Sequence, residues 1–447
     1  MQPKLRMVPV LRHRRVRVTP LSVFITEPVH PQITTPVFFG NYYVSITGYT
    51  VVRDSVFMKI LFTTESYYPI IDGGAIAQHR IVHELINKGH DVQVIAPSFS
   101  FKNTIEEDNG STIHRPRAFL LPFYMNNKYH FAPFPFLYVK KILETFKPDV
   151  INVCSPYPIS ICAVIWAKKK HIPLIGSIHI LPENVLAPFF NSALYPTMVK
   201  YTWSYLIYFY NLVDWATVPT QTGATMYQEK GLKTPVTPIS NGVNTELFKP
   251  KNKGESLRKR FNLPKKPLVL YTGRINQEKN VDVLVKAIPS VLKEVDTHFL
   301  FCGSGGLKPE MMKLTQDLGV DDHTTFIDFL SWADYPNIYP LADVFVMPAE
   351  SELQSIVTLE AIASGVPPVV VNKGAVPELV SFGNGLIFEP KNSNQLASNI
   401  ITILSDKKLR NTMKKKSLQL SEKHSMRNIS SQYEQVYETV LQQYKNK

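Results

Sequence analysis

The stretch Met58–Pro97, MKILFTTESYYPIIDGGAIAQHRIVHELINKGHDVQVIAP, decides the fold class. Lys59–Thr64 is an apolar run of strand length, and Gly73 and Gly74 follow in a loop. Ile76, Ile81, Leu85 and Ile86 then recur at helical spacing up to Gly89, and Asp91–Pro97 is a second apolar run. Strand, glycine loop, helix and strand in that order make a βαβ unit, with parallel strands and a right-handed crossover.

The same alternation extends outward. Val150–Val153, Leu174–Ile178, Trp215–Val218 and Val236–Ile239 read as further strands with helical runs between several of them. The charged segment Lys249–Lys266, with its KNK, RKR and KK runs, reads as a loop-like linker. The pattern then restarts with strands at Leu268–Tyr271, His298–Cys302, Thr325–Ile327, Val344–Met347 and Pro368–Val371. Helices are predicted at Val281–Glu294, Pro309–Leu318, Ile356–Ser364 and Gln395–Ser405, and the tail from Asn428 reads as a polar amphipathic helix. The prediction is an α/β protein of two doubly wound, Rossmann-like domains facing across a cleft. Their bounds are 58–246 and 267–424, with a linker at 247–266 and a C-terminal helix at 425–447 crossing back to the first domain.

Residues 1–57 are different in kind. Seven Lys or Arg face two acids, prolines recur, and no apolar period is sustained. The text changes abruptly at Met58. The segment reads as a disordered or non-native extension, with a basic targeting or membrane-contact tail as the alternative.

Composition narrows the class. A 447-residue chain with 44% hydrophobic and 19% charged residues buries a real core and is not globally disordered. Its 3 cysteines provide neither a disulfide scaffold nor a zinc cluster, which suits a reducing, cytoplasmic setting. The net charge of +13 is spread along the chain, which argues against a nucleic-acid-binding stripe. No apolar run reaches the roughly 18–20 residues of a spanning helix, so membrane contact would be peripheral.

Four constellations carry chemistry. In GRINQEKN, Arg274 and Lys279 follow a buried strand on the loop before a helix, where two cations suit a leaving diphosphate. In PAESELQSIVTLEAIASG, Glu352 and Glu360 form an E-x7-E pair beside a helix start near Ser355. That start offers free N–H groups and a positive dipole end, and the carboxylates can accept from sugar and ribose hydroxyls. The bare spacing occurs about once by chance, so its context carries it. In DGGA, Gly73 and Gly74 permit close backbone approach to a phosphate. In IGSIHILPEN, His179 lies just past a strand and points into the proposed cleft.

These motifs, in this order, resemble those of the retaining glycosyltransferases of family 4, which share the two-domain GT-B fold. The resemblance covers Met58 to the C-terminus. It implies that DGGA lies near the donor diphosphate and that His179 contacts the donor sugar. It implies that Arg274 and Lys279 bind the diphosphate, that Glu352 contacts the transferred sugar and that Glu360 holds the ribose. The implied catalytic set is His179, Arg274, Lys279 and Glu352. The implied donor-binding set adds Gly73, Gly74, Gln354, Ser355, Ile356 and Glu360. SNGVN, at 240–244, resembles the family's turn ahead of the linker. Ser355 stands where the family usually has Gly, and Asn244 where it has Asp. No two aspartates lie two apart, so an Asp-x-Asp metal site is missing; no metal and no cofactor are expected.

HILPENVL resembles the corresponding stretch of diacylglycerol glucosyltransferase-like members, which makes Pro182, Glu183 and Asn184 acceptor-binding candidates. Between Phe119 and Tyr138 eight aromatics precede Lys140 and Lys141. Aromatics beside lysines suit an anionic membrane surface, and Lys168–Lys170 and Tyr201–Tyr210 could extend the patch; the alternative is that these rings fill the first core. The expected reaction moves a hexose from a nucleotide-sugar, UDP-glucose foremost, to a lipid hydroxyl such as that of diacylglycerol. The runner-up is GDP-mannose-dependent transfer to a phosphatidylinositol-like or soluble acceptor. A nicotinamide oxidoreductase is disfavoured because GSGG at 303–306 does not complete G-x-G-x-x-G.

Overall fold

The computed structural model describes residues 57–70, 72–121, 129–186, 192–251, 254–328 and 330–446, and in the first 56 residues only backbone pairing. There His13–Val18 pairs antiparallel with Leu21–Thr26, and Val37–Phe39, Tyr42–Ser45 and Thr50–Arg53 form an antiparallel ribbon. Strands of three to six residues are too short to leave a sustained apolar period. Met1–Phe57 separates as its own unit from Met58–Lys447. The other expectations for residues 1–57 lie outside the described residues.

The first lobe of the second unit is built on eight strands. They are β1 (Lys59–Thr63), β2 (Asp91–Ile95), β3 (Thr104–Asp108), β4 (Ser111–Arg115), β5 (Val150–Val153), β6 (Leu174–Ser177), β7 (Trp215–Val218) and β8 (Val236–Pro238). Their order across the sheet is β8-β7-β6-β5-β1-β2-β4-β3. All neighbours are parallel except β3 and β4, an antiparallel hairpin at the edge. Sequence periodicity missed this hairpin because β3, TIEED, is an edge strand that buries almost nothing.

The second lobe has six parallel strands: β9 (Leu268–Thr272), β10 (His298–Cys302), β11 (Thr324–Ile327), β12 (Val344–Met347), β13 (Pro368–Val371) and β14 (Leu386–Phe388). Their order is β11-β10-β9-β12-β13-β14. β9, β10, β12 and β13 are buried at every position, as parallel strands covered on both faces must be. In each sheet the strand order reverses at the lobe's first strand. Such switch points place ligands beyond the carboxyl ends of β1 and β9.

The helices are α1 (Gly73–Asn87), α2 (Phe136–Phe146), α3 (Pro158–Lys170), α4 (Tyr195–Tyr210) and α5 (Gln221–Glu229) in the first lobe. The second lobe has α6 (Val281–Leu292), α7 (Lys308–Asp317), α8 (Ile356–Ala363), α9 (Ser393–Ser405) and α10 (Lys407–Lys423), followed by α11 (Met426–Lys445). Part of the segment read as a loop-like linker folds as a helix, Glu255–Arg260. Its Leu257, with Phe248 and Leu263, is buried in the second-lobe core, while residues 252 and 253 lie outside the described residues. Three apolar side chains spread among charges escape a composition count but suffice to dock one helical turn.

α11 packs on the first lobe. Ile429, Tyr433, Val436, Tyr437 and Val440 repeat at helical spacing and join the core made by β1, β2 and α1. Each such side chain contributes about 1.5–3 kcal/mol when fully buried. Polar contacts fix the register: Asn152 donates to the Tyr437 hydroxyl at 2.8 Å, and His90 and Lys88 both reach Glu434.

Candidate active site

A cavity of about 750 Å³ lies between the lobes, at the carboxyl ends of β1, β6 and β9. Of the residues singled out in the sequence, Gly73, Gly74, His179, Arg274, Lys279, Glu352, Gln354, Ser355, Ile356, Glu360 and Asn184 line it. Pro182 and Glu183 do not line it. Pro182 is buried at the start of the short helical turn Pro182–Val185, and of the three acceptor candidates only Asn184 faces the cavity.

α1 begins where Asp72 caps it, accepting from the Ala75 N–H at 2.8 Å. Loss of such a cap typically costs about 1 kcal/mol. The other Asp72 oxygen accepts from Ser66 and from the Tyr129 hydroxyl, the latter at 2.7 Å. Gly73 sits opposite the start of α8: a Cβ there would lie 3.8 Å from Ile356 Cδ1. The glycine loop of one lobe thus faces the helix N-terminus of the other. His179 lies beside Gly74, and burial holds its imidazole down to about 4, against the opposing pull of Asp72 and of the Asn241 side chain. At neutral pH it is uncharged, so it offers a hydrogen bond rather than a positive charge.

On the second lobe the loop after β9 is pinned by its own backbone. The Tyr271 hydroxyl donates to the Arg274 carbonyl at 2.6 Å. Gly303 at the end of β10, with φ +149, would put a Cβ 1.9 Å from the Gly273 carbonyl oxygen, so only glycine lets the two loops meet. This is the structural use of GSGG. Arg274 pairs with Glu278 at 3.2 Å and Lys279 with Glu352 at 2.6 Å. The predicted diphosphate cation and the predicted sugar carboxylate therefore hold each other.

Ser355 caps α8, accepting from the Thr358 N–H at 3.3 Å. The neighbouring side chains bridge the lobes. Gln354 Oε1 accepts from the Ser240 hydroxyl at 3.0 Å and the Asn241 N–H at 2.8 Å, and its amide donates to the Pro219 carbonyl. Its side chain is thus spent on the first lobe, and only the rest of the residue faces a donor. Glu360, 2% exposed, accepts from the Tyr335 hydroxyl at 2.9 Å and the Tyr339 hydroxyl at 2.7 Å, and pairs with Arg80 of α1.

Two groups escaped the sequence reading. Arg80 is 280 positions from Glu360, and no local pattern joins them. Glu65, two residues past β1, is buried; Oε1 accepts from the Ile159 N–H of α3 at 2.8 Å, and Oε2 has no partner among the described residues. Burial pushes its carboxyl up to about 8. The signal was available: an acid directly after a buried strand at the switch point.

A pair of cations and a helix N-terminus on one wall, with a neutral histidine and a glycine loop on the other, defines a two-lobed transferase site for a diphosphate-activated donor. Known proteins place it further. Residues 71–247 match Glycosyltransferase Family 4, and residues 253–419 match Glycosyl transferases group 1. The chain belongs to the family 4 glycosyltransferases of the GT-B type. Sulfoquinovosyl transferase SQD2 of Arabidopsis thaliana is 27% identical, over 82% of this chain and 70% of that protein. Alpha-monoglucosyldiacylglycerol synthase of Streptococcus pneumoniae is 25% identical, over 72% and 73%. Among solved structures, Anabaena HepE in complex with UDP superposes with a TM-score of 0.67 at 19% identity, covering 86% of this chain and all of that one; this likeness concerns the fold.

Proposed function

We propose that the enzyme transfers a hexose, with retention, from a nucleotide-sugar to the hydroxyl of a membrane lipid, UDP-glucose and diacylglycerol being the favoured pair. The observation that carries this reading is the single cavity in which Arg274, Lys279, Glu352 and Glu360 face Gly73, Gly74 and His179. Arg274, Lys279 and the α8 N-terminus neutralise the diphosphate as its bond to the sugar carbon breaks. Glu352 and neutral His179 accept and donate to sugar hydroxyls, and Glu360 takes the ribose in exchange for its tyrosine partners. Asn184, Asn241 and Gln78 each present an unpartnered oxygen among the described residues of the first-lobe wall.

A lipid acceptor is supported from two directions. The Streptococcus relative is, by name, a monoglucosyldiacylglycerol synthase, an enzyme whose product is a glycolipid. The first lobe also exposes large apolar side chains: Phe134 is 83% and Leu137 74% exposed, and Phe119 and Phe136 are also exposed. Lys140 and Lys169 lie over the Trp166 ring, and Tyr201 and Tyr208 of α4 are exposed as well. Of the aromatic stretch, Tyr129 and Phe131 instead line the cavity, and Phe123 and Tyr124 lie outside the described residues. Among the described residues no helix is long and apolar enough to cross a membrane, so contact is peripheral in this reading.

The test is a matrix of UDP-glucose and GDP-mannose against vesicles carrying diacylglycerol or phosphatidylinositol, read as nucleotide release and as lipid product with its anomeric configuration. Glucosyl-diacylglycerol with the donor's anomeric configuration is expected. A mannosylated phosphatidylinositol would replace the donor and acceptor, and glycosylation of a soluble acceptor alone would end the lipid reading.

A further inference from the structure

α1 carries a second constellation, which does not line the cavity. His79 and His83 lie four positions apart and so share one face of the helix. Both Nε2 atoms reach the same oxygen of Asp108: Oδ2 is 2.8 Å from His79 and 3.0 Å from His83. The two rings have centroids 4.0 Å apart, and Tyr68 lies against His79 at 4.9 Å. Asp108 ends the edge strand β3 at a tight turn whose Asn109 has φ 48 and Gly110 φ 90. Asn109 donates from Nδ2 to Asp108 Oδ1 at 3.0 Å, which orients the carboxylate and leaves Oδ2 turned to the histidines.

The donor set is chemically selective. Two imidazole nitrogens and one carboxylate oxygen suit zinc and its neighbours cobalt and nickel, whereas magnesium and calcium take oxygen shells. All three ligand atoms lie within 4.8 Å of one another. A tetrahedral zinc with bonds of about 2.0–2.1 Å spaces its ligand atoms about 3.3 Å apart. The observed nitrogen–oxygen separations are a few tenths of an ångström shorter, a gap that a small carboxylate rotation supplies. The side chains are 26%, 21% and 16% exposed, which leaves a solvent-facing position for a fourth, water ligand.

We propose that His79, His83 and Asp108 form a zinc-class metal site that fastens α1 to the β3–β4 hairpin. The ion would sit between the Nε2 atoms and Asp108 Oδ2, each imidazole coordinating through Nε2 as the neutral tautomer that keeps its one ring proton on Nδ1. Its role is structural: α1 carries Gly73, Gly74 and Arg80 to the cleft, and the site holds that helix through side chains that do not line the cavity. A purely hydrogen-bonded triad is the competing account, and the two differ in what added metal does.

The experiment uses the full chain without an affinity tag, stripped with a chelator and then titrated with cobalt(II). One equivalent should generate the visible absorption of four-coordinate cobalt, and zinc should displace it. The stripped protein should melt several degrees higher with excess zinc and show no response to magnesium or calcium. Asp108→Asn keeps the shape and one acceptor oxygen, so it should fold; it should lose at least tenfold in cobalt affinity, and His83→Gln at least as much. The site is overturned if cobalt gives no stoichiometric band, or if both variants bind it as tightly as the parent chain.

Discussion

The two walls of the cleft solve opposite problems. On the second lobe every charged group named at the cavity has a partner: Arg274 has Glu278, Lys279 has Glu352, and Glu360 has Arg80 and two tyrosines. On the first lobe, Asp72 is spent on capping α1 and on two hydroxyls, Glu65 and His179 are held in their uncharged forms, and amide and carboxyl oxygens of Glu65, Gln78, Asn184 and Asn241 stand unpartnered among the described residues. A permanently charged diphosphate needs compensating charge that is already in place and fixed by neighbours. A hydroxyl acceptor needs neutral donors and acceptors that would be costly to bury unless something meets them. In the function proposed above, the contrast assigns the charged wall to the donor diphosphate and the unpartnered oxygens of the first lobe to the acceptor.

The largest expected break in this contrast comes from the charged wall. Arg274→Ala or Lys279→Ala should lower turnover by roughly two decades or more, the usual size of a lost electrostatic contact to developing charge. Circular dichroism should remain native, because both residues sit on a polar loop. Near-normal turnover in either variant removes that residue from the diphosphate role.

Glu65 tests the neutral wall. Its folded value of about 8 lies above the ordinary 4.5, so folding favours the protonated acid. That contribution is complete below the ordinary value and fades as pH rises toward about 8. Glu65→Gln should therefore gain in melting temperature relative to the parent chain as pH goes from 5 to about 8. Parallel melting curves across that range would show that the acid is ionised in the fold. The smallest effect is expected at the rim: Lys140→Ser with Lys141→Ser should weaken binding to anionic vesicles several-fold, and less so at high salt. Nucleotide affinity should not change, because both lysines lie on α2 of the first lobe. Equal binding of the double variant and the parent would remove the lysines from the membrane face.

The same contrast governs what could be read in advance. The second-lobe strands β9, β10, β12 and β13 are continuous apolar runs, and the residues at their carboxyl ends come in short motifs, so fold and donor candidates were legible together. The first-lobe wall is assembled from loops far apart in the chain. Arg80 looks like any surface cation of an amphipathic helix, and Glu65 is a single acid among Thr64 and Ser66. His79, His83 and Asp108 were passed over for the same reason: the i, i+4 pair is visible, but only the β3–β4 hairpin brings the carboxylate to it. α10 was missed because LysLys-rich text masks its apolar positions; Met413 and Leu420, seven apart, anchor it. Polar elements at edges are legible only once their neighbours are known.

The most direct test of the charged donor wall is calorimetric binding of UDP to the full chain and to Lys279→Ala, both in excess EDTA. The parent chain should bind UDP with no divalent cation present, and the variant should bind at least tenfold more weakly, since a hydrogen-bonded cation–phosphate contact is lost. Equal affinity in the two proteins, or binding by the parent only after magnesium or manganese is restored, would contradict the account.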